Sequence, residues 1–215
     1  MLLKKILIGF LGILPLWVTA VTAEAQVPFA ADVFVGAPRH IMPLLDKRVK
    51  LDMVDYFNSG MTTPSKNLLD GKARVTALNP GAIEVQTSDA EKCTIAVLPV
   101  GKSFVIAVIR TLSVPESDSD IKFYDAKWRQ LDGSRYMKTP TIADWLTAHG
   151  RKNRNAVDEA VPFVTAEYEY DPATGVLTVT QQLEHTLGKE SYAEVKDYLK
   201  PQLTYSWKGG RFKAD

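Results

Sequence analysis

From Lys72 to Leu112 apolar and polar residues alternate with a period of two, and on the N-terminal side they recur at helical spacing. Val75 and Ala77 alternate with polar neighbours up to a turn at Asn79-Pro80-Gly81. Ile83, Val85 and Thr87 continue as a second strand, and Cys93, Ile95 and Val97 as a third. Gly101-Lys102 turns the chain again. Phe104 to Leu112 is apolar on both faces and predicts a central strand. Successive strands with short turns between them predict an antiparallel meander. Upstream, Ile41, Leu44, Leu45, Leu51, Val54 and Phe57 predict a helical region, with Pro43 in its first turn and Gly60 as its stop. Residues 26–38 read as an extended lead-in between Pro28 and Pro38, with Val33-Phe34-Val35 as a short edge strand.

Beyond the meander the signals are shorter. Ser113 to Asp120 reads as an acidic loop. Ile121 to Tyr124 and Trp128 to Leu131 have strand character, followed by a turn at Asp132-Gly133. Thr141 and Asp144 stand at capping-box spacing and open a helix with Ile142, Trp145 and Leu146 on its apolar face and Gly150 at its end. Arg151 to Asn155 reads as a surface connection. Phe163 to Tyr170 and Val176 to Leu183 predict a hairpin about Asp171-Pro172-Ala173-Thr174-Gly175. Ser191 and Glu194 predict a second capping box, with Tyr192, Val195 and Leu199 on one helix face and Pro201 as the stop. Leu203 to Trp207, Gly209-Gly210 and Phe212 predict a last hairpin. The sum is an α+β fold, antiparallel meander sheets packed against a few short helices. It spans 26–215 as one domain, or as two similar lobes connected near 150–160.

The first 25 residues read as an address. Lys4 and Lys5 precede an apolar run from Ile6 to Val21, and Ala23-Glu24-Ala25 offers the small-x-small pattern of a cleavage site. The run is short for a membrane span and contains Pro15. No cysteine follows it to carry a lipid, since Cys93 is the only one. The expectation is a cleaved signal peptide and a periplasmic or extracellular protein that is soluble, not a lipoprotein, and has no membrane span. Removing Lys4, Lys5 and Glu24 from 26 basic and 25 acidic residues leaves a neutral chain, which gives no electrostatic reason to expect nucleic acid. Cys93 shares a strand face with Ile95 and Val97 and reads as a small buried hydrophobe.

Three sets of residues carry a resemblance. The first is Ala31-Asp32-Val33-Phe34 with Pro43-Leu44-Leu45 and Leu51-Asp52-Met53-Val54-Asp55. The second is Leu98-Pro99-Val100 through Ser103, then Val105 to Thr111, Asp118 to Asp125 and Trp128. The third is Tyr198-Leu199-Lys200-Pro201, Leu203 to Trp207 and Gly210-Arg211-Phe212. In their order and spacing they resemble a family of uncharacterised secreted proteins from Bacteroides-type bacteria, a domain of unknown function. The resemblance implies a secreted α+β protein with helices on an antiparallel sheet, similar to β-lactamase inhibitor proteins. It implies no activity, cofactor or catalytic residue.

Candidate chemistry is sparse. There is no nucleophile elbow, zinc helix or phosphate loop, so no catalytic, cofactor or metal set is assigned. His40, His149 and His185 lie far apart, and His149 suits the last turn of its helix. Glu167 and Glu169 share a strand face, the arrangement a glycan-directed hydrolase would need for acid–base work. Asp118 and Asp120 are spaced like the start of a calcium loop but lack its remaining ligands. Tyr168 and Tyr170 share one strand face, and Tyr205 and Trp207 share another with Leu203. A strand pattern of this kind normally buries its aromatics in the core; as the candidate interaction residues, these four would instead form an aromatic platform for an envelope protein or a glycan. The leading reading is a secreted, non-enzymatic binding module. The alternative is a glycan-directed hydrolase using Glu167 and Glu169.

Overall fold

The computed structural model of the chain describes residues 27–113 and 116–215; residues 1–25, expected to be a signal peptide, lie outside the described residues. Two helices come first, α1 (Ala30–Gly36) and α2 (Lys47–Asn58). They are followed by β1 (Ser65–Lys66), β2 (Lys72–Asn79), β3 (Ala82–Gln86), β4 (Glu91–Val100), β5 (Ser103–Ser113) and β6 (Ser117–Tyr124). These strands form a six-stranded antiparallel sheet in chain order, the meander that the alternation and the turns predict. Short helices α3 (Ile142–Trp145), α4 (Ala148–Lys152) and α5 (Arg154–Ala160) lead to β7 (Ala166–Asp171) and β8 (Val176–Gln181). Helices α6 (Leu183–Leu187) and α7 (Lys189–Val195) then precede β9 (Gln202–Trp207) and β10 (Phe212–Ala214). The second sheet has four antiparallel strands in the order β10-β9-β8-β7.

The meander is the middle of three layers. On one face, Cys93, Ile95, Val97, Ile106 and Val108 pack against Phe34, Ile41, Met42 and Met53 from the α1–α2 segment. On the other, Ala96, Leu98, Val105, Ala107 and Ile109 share a core with Leu177, Val179, Tyr205 and Phe212 of the second sheet. That two-sided burial explains why β5 reads as apolar on both faces, and β4 is buried on both faces for the same reason. Side chains knit the sheets. Asp118 Oδ1 accepts from Ala166 N at 3.1 Å, and Ser119 Oγ accepts from Tyr168 N at 3.0 Å. Trp207 Nε1 donates to the Pro99 carbonyl at 2.9 Å. Half-buried and buried charges tie the N-terminal segment down: half-buried Arg110 bonds Glu91 at 2.6 Å and also donates to the Ile41 carbonyl, while buried Lys50 donates to the Ala37 carbonyl.

Several local expectations are corrected. Residues 30–36 are a helix rather than an edge strand, because Ala30, Val33 and Phe34 at helical spacing all reach the core. Helix α2 starts at Lys47, capped by Asp46, whose side chain accepts from Val49 N at 2.9 Å, so Pro43 lies in a turn before it. Ser117 to Asp120 belongs to β6; pairing along β5 overrides its polar composition. Trp128 to Leu131 bridges a strand only at Gln130, because the Asp125 carboxylate folds the segment into a turn through Lys127 N and Arg129 N. Arg151 to Asn155 runs through α4 and α5 instead of a linker. Gly150 is buried inside α4, where the Tyr198 carbonyl leaves no room for a Cβ, so close approach and not helix termination requires it. The capping box at Thr141 and Asp144 forms; the one at Ser191 does not, since α7 begins earlier, after Gly188 at φ 79°.

Candidate functional site

The four candidate aromatics share one sheet face, the inner one. Tyr168 stands opposite Val179, and Val179 opposite Leu203; Tyr170 stands opposite Leu177, and Leu177 opposite Tyr205. This row faces the meander, so Tyr168 and Tyr205 are buried and Tyr170 and Trp207 half-buried against the shared core. They form no exposed platform. Trp207 and Tyr170 stack edge-on against Phe212, with ring centroids at 4.9 and 6.0 Å. Burial pushes the Tyr168 and Tyr205 hydroxyls up to about 12. Tyr168 still reaches the surface, between two neighbouring hollows of about 370 and 250 Å³ that share Thr139.

Glu167 and Glu169 lie on the opposite face of β7. Glu167 pairs with Lys92 at 3.2 Å, and Lys92 also reaches Glu84 at 3.5 Å. Burial works against the Lys92 ammonium, but Glu84 and Glu167 outweigh it and raise its pKa above the ordinary lysine value. Glu169 is exposed. A carboxylate held in an ion pair beside an exposed one is a sheet surface without the cleft that glycoside hydrolysis requires. Asp118 is committed to Ala166 N, and Asp120 pairs with Lys122 at 3.1 Å. Among the described residues no cluster of three His, Cys, Asp or Glu side chains is placed to hold a metal ion. Cys93 is fully buried, and burial raises its thiol to about 12, outside the range of a nucleophile. His149 packs edge-on against Tyr198 at 4.9 Å.

A further surface feature lies where α2 meets the outer edge of the meander. A groove of about 470 Å³ opens between the C-terminal end of α2, the segment 60–65 and the outer edge of β2. That volume is within the range of ligand sites. Met53, Tyr56, Phe57 and Met61 wall it on one side, and Ala73 and Val75 on the other. Phe57 is 37% exposed and Met61 49%. Ser65 Oγ, in the same wall, is buried and has no hydrogen-bond partner among the described residues. Such an atom costs about 1–3 kcal/mol while it stays unpaired. The local sequence builds the groove. Gly60, at φ 68°, ends α2 and turns the chain toward β1. Buried Asn67 then holds the β1–β2 hairpin by accepting from Leu69 N and Gly71 N and donating to the Thr87 carbonyl. The hairpin tip leaves Leu68 and Leu69 exposed.

Sequence pattern set Leu51 and Phe57, with Val54, at helical spacing. In the structure Leu51 and Phe57 are exposed, and the helix buries Met53 and Lys50. The available signal was the mismatch between a wide apolar stripe and a lysine inside it.

Together these features define a two-sheet α+β protein with an apolar groove at a sheet edge and no assembled catalytic set among the described residues. The chain belongs to the family described as "Protein of unknown function (DUF3256)", which matches residues 21–212. It is also similar to the structure of a domain of an uncharacterized protein from Porphyromonas gingivalis W83, at 24% identity and a TM-score of 0.73. That match covers 86% of this chain and 98% of the other, and it shows a shared fold. No curated protein matches the chain.

Proposed function

We propose that this is an exported, non-enzymatic binding module that docks a partner protein in the α2–β2 groove. One observation carries the reading: an apolar groove walled by partly exposed Phe57 and Met61 has in its wall a buried hydroxyl, Ser65 Oγ, with no hydrogen-bond partner among the described residues. Packing alone does not account for that combination, since burying these side chains and bonding the hydroxyl would both lower the free energy. Export rests on the basic start, apolar run and Ala23-Glu24-Ala25 pattern of residues 1–25. A periplasmic or extracellular setting fits a fold with one buried cysteine and no helix among the described residues long and apolar enough to cross a membrane.

The test is a photo-reactive amino acid at position 57 or 61 in intact cells, with position 127, in the loop after β6, as control. The expected result is one defined protein adduct from the groove positions and none from the control. Equal labelling from all three positions, or no adduct from any of them, would sink the reading.

A further inference from the structure

We infer that the groove takes its partner as an extended acidic strand added to the free edge of β2, a deduction that rests on the groove's being a docking site. β1 covers only Lys72 and Ala73 of β2; from Arg74 to Asn79 the outer edge has no paired strand among the described residues. Antiparallel ladder bonds fall on alternate residues. Asn67 donates to the Gly71 carbonyl, so the next bonded position on this edge is Ala73, opposite Ser65. The one after that is Val75, and no strand residue pairs with it on this edge among the described residues. Its N–H and C=O therefore point along the edge into the groove, where an incoming backbone completes the ladder.

The two faces of β2 specify the side chains of that strand. Ala73 and Val75 face α2 and the apolar wall, whereas Lys72 and Arg74 face the other way, with Lys66 beside Lys72. Arg74 bonds the neutral Gln86, and among the described residues neither Lys72 nor Arg74 forms an ion pair. A strand laid along the free edge alternates accordingly, with apolar residues over Met53 and Met61 and carboxylates opposite Arg74 and within diagonal reach of Lys72. The same cations disfavour a second copy of this chain, because edge-to-edge self-pairing brings like charges together.

The probe is an end-blocked synthetic peptide, Thr-Val-Glu-Val-Glu-Val-Thr, with Thr-Val-Lys-Val-Lys-Val-Thr as comparator. Each is titrated into the signal-free protein and followed by methionine-methyl and amide NMR. The glutamate peptide is expected to shift the Met53 and Met61 methyls and slow exchange of the Val75 amide. The lysine peptide is expected to bind about tenfold more weakly, from reversal of the cross-strand charge pairs. Reversing the edge with Lys72→Glu and Arg74→Glu, both exposed positions, should invert that preference. Methyl shifts with unchanged Val75 exchange would overturn the added strand while leaving the groove a docking site. Absence of both signals at millimolar peptide, or a preference unmoved by the charge reversal, would overturn the inference outright; crosslinking from positions 57 and 61 decides the docking reading separately.

Discussion

Replacing Ser119 by alanine should destabilise the protein more than replacing Asp118, although Asp118 is the charged residue. β7 is an edge strand of the second sheet, and its outward N–H groups meet side chains of β6 instead of another strand. Ser119 Oγ accepts from Tyr168 N at 3.0 Å and also bonds the hydroxyl of buried Thr111 at 2.9 Å. Ser119→Ala therefore strands two groups in the interior. At about 1–3 kcal/mol for each unsatisfied group, with some relaxation, the expected loss is about 2 kcal/mol. Asp118→Ala strands only Ala166 N, beside an exposed side chain that water can replace, and should cost about 1 kcal/mol or less. Equilibrium urea unfolding of residues 26–215 measures both, with an unchanged m-value expected. For a chain of this size about 2 kcal/mol corresponds to a Tm about 4–8 °C lower. The double variant should cost less than the sum, because the bonds are neighbours on one edge. A Ser119→Ala loss below about 0.5 kcal/mol, or a larger loss for Asp118→Ala, would refute side-chain completion of the β7 edge.

Three further outcomes test other parts of the structure. Gly150→Ala should destabilise by about 1–3 kcal/mol, since a Cβ there collides with the Tyr198 carbonyl; helix propensity alone predicts a gain of about 1 kcal/mol, so the sign of the change in thermal unfolding decides. Cys93 should resist a thiol reagent at pH 8 in native protein and react fully in urea, because the thiol is buried and its pKa is raised to about 12; rapid labelling of the native state would contradict the burial. The Thr141 backbone N–H holds the Asp144 carboxyl below its ordinary 3.8, burial opposing and the Thr141 hydroxyl and Lys138 reinforcing it. That contribution is complete above pH 3.8 and is lost as the pH falls through the folded value, so Asp144→Asn should be less stable than wild type at neutral pH and converge with it in acid; parallel profiles across that range would dismiss the linkage.

What sequence pattern conveys depends on the range of the interaction. The turns at Asn79-Pro80-Gly81, Gly101-Lys102 and Gly209-Gly210 were legible because their backbone needs are local; Gly209 and Gly210 sit at φ 63° and 78° as a tight hairpin requires. The Thr141–Asp144 box was legible for the same reason. Helix α1 was legible in principle, from Ala30, Val33, Phe34 and Ala37, but Val33-Phe34-Val35 has strand propensity and local propensity is a weak guide. The inward aim of Tyr168, Tyr205 and Trp207 was not legible. Alternation assigns residues to a common strand face, but only the packing of the second sheet on the meander decides which face is covered.

Helix α2 shows how such a mismatch points to function. Two of its apolar positions, Leu51 and Phe57, exceed what the core uses, while Lys50 takes a core place at 2% exposure. Lys50 donates to the Ala37 carbonyl and lies 5.9 Å from the Phe34 ring centroid. Burial, with Lys47 nearby, holds its pKa below the ordinary lysine value, so this ammonium is maintained at a cost to stability at neutral pH. Pinning Ala37 and the turn after it fixes how α1 and α2 sit on the sheet. That position turns Phe57 toward the uncovered edge of β2 rather than into the core. A helix packed only for stability would bury Phe57 and expose Lys50. The reverse arrangement, next to a strand edge and a hydroxyl that have no partner among the described residues, is what the proposed docking site would account for.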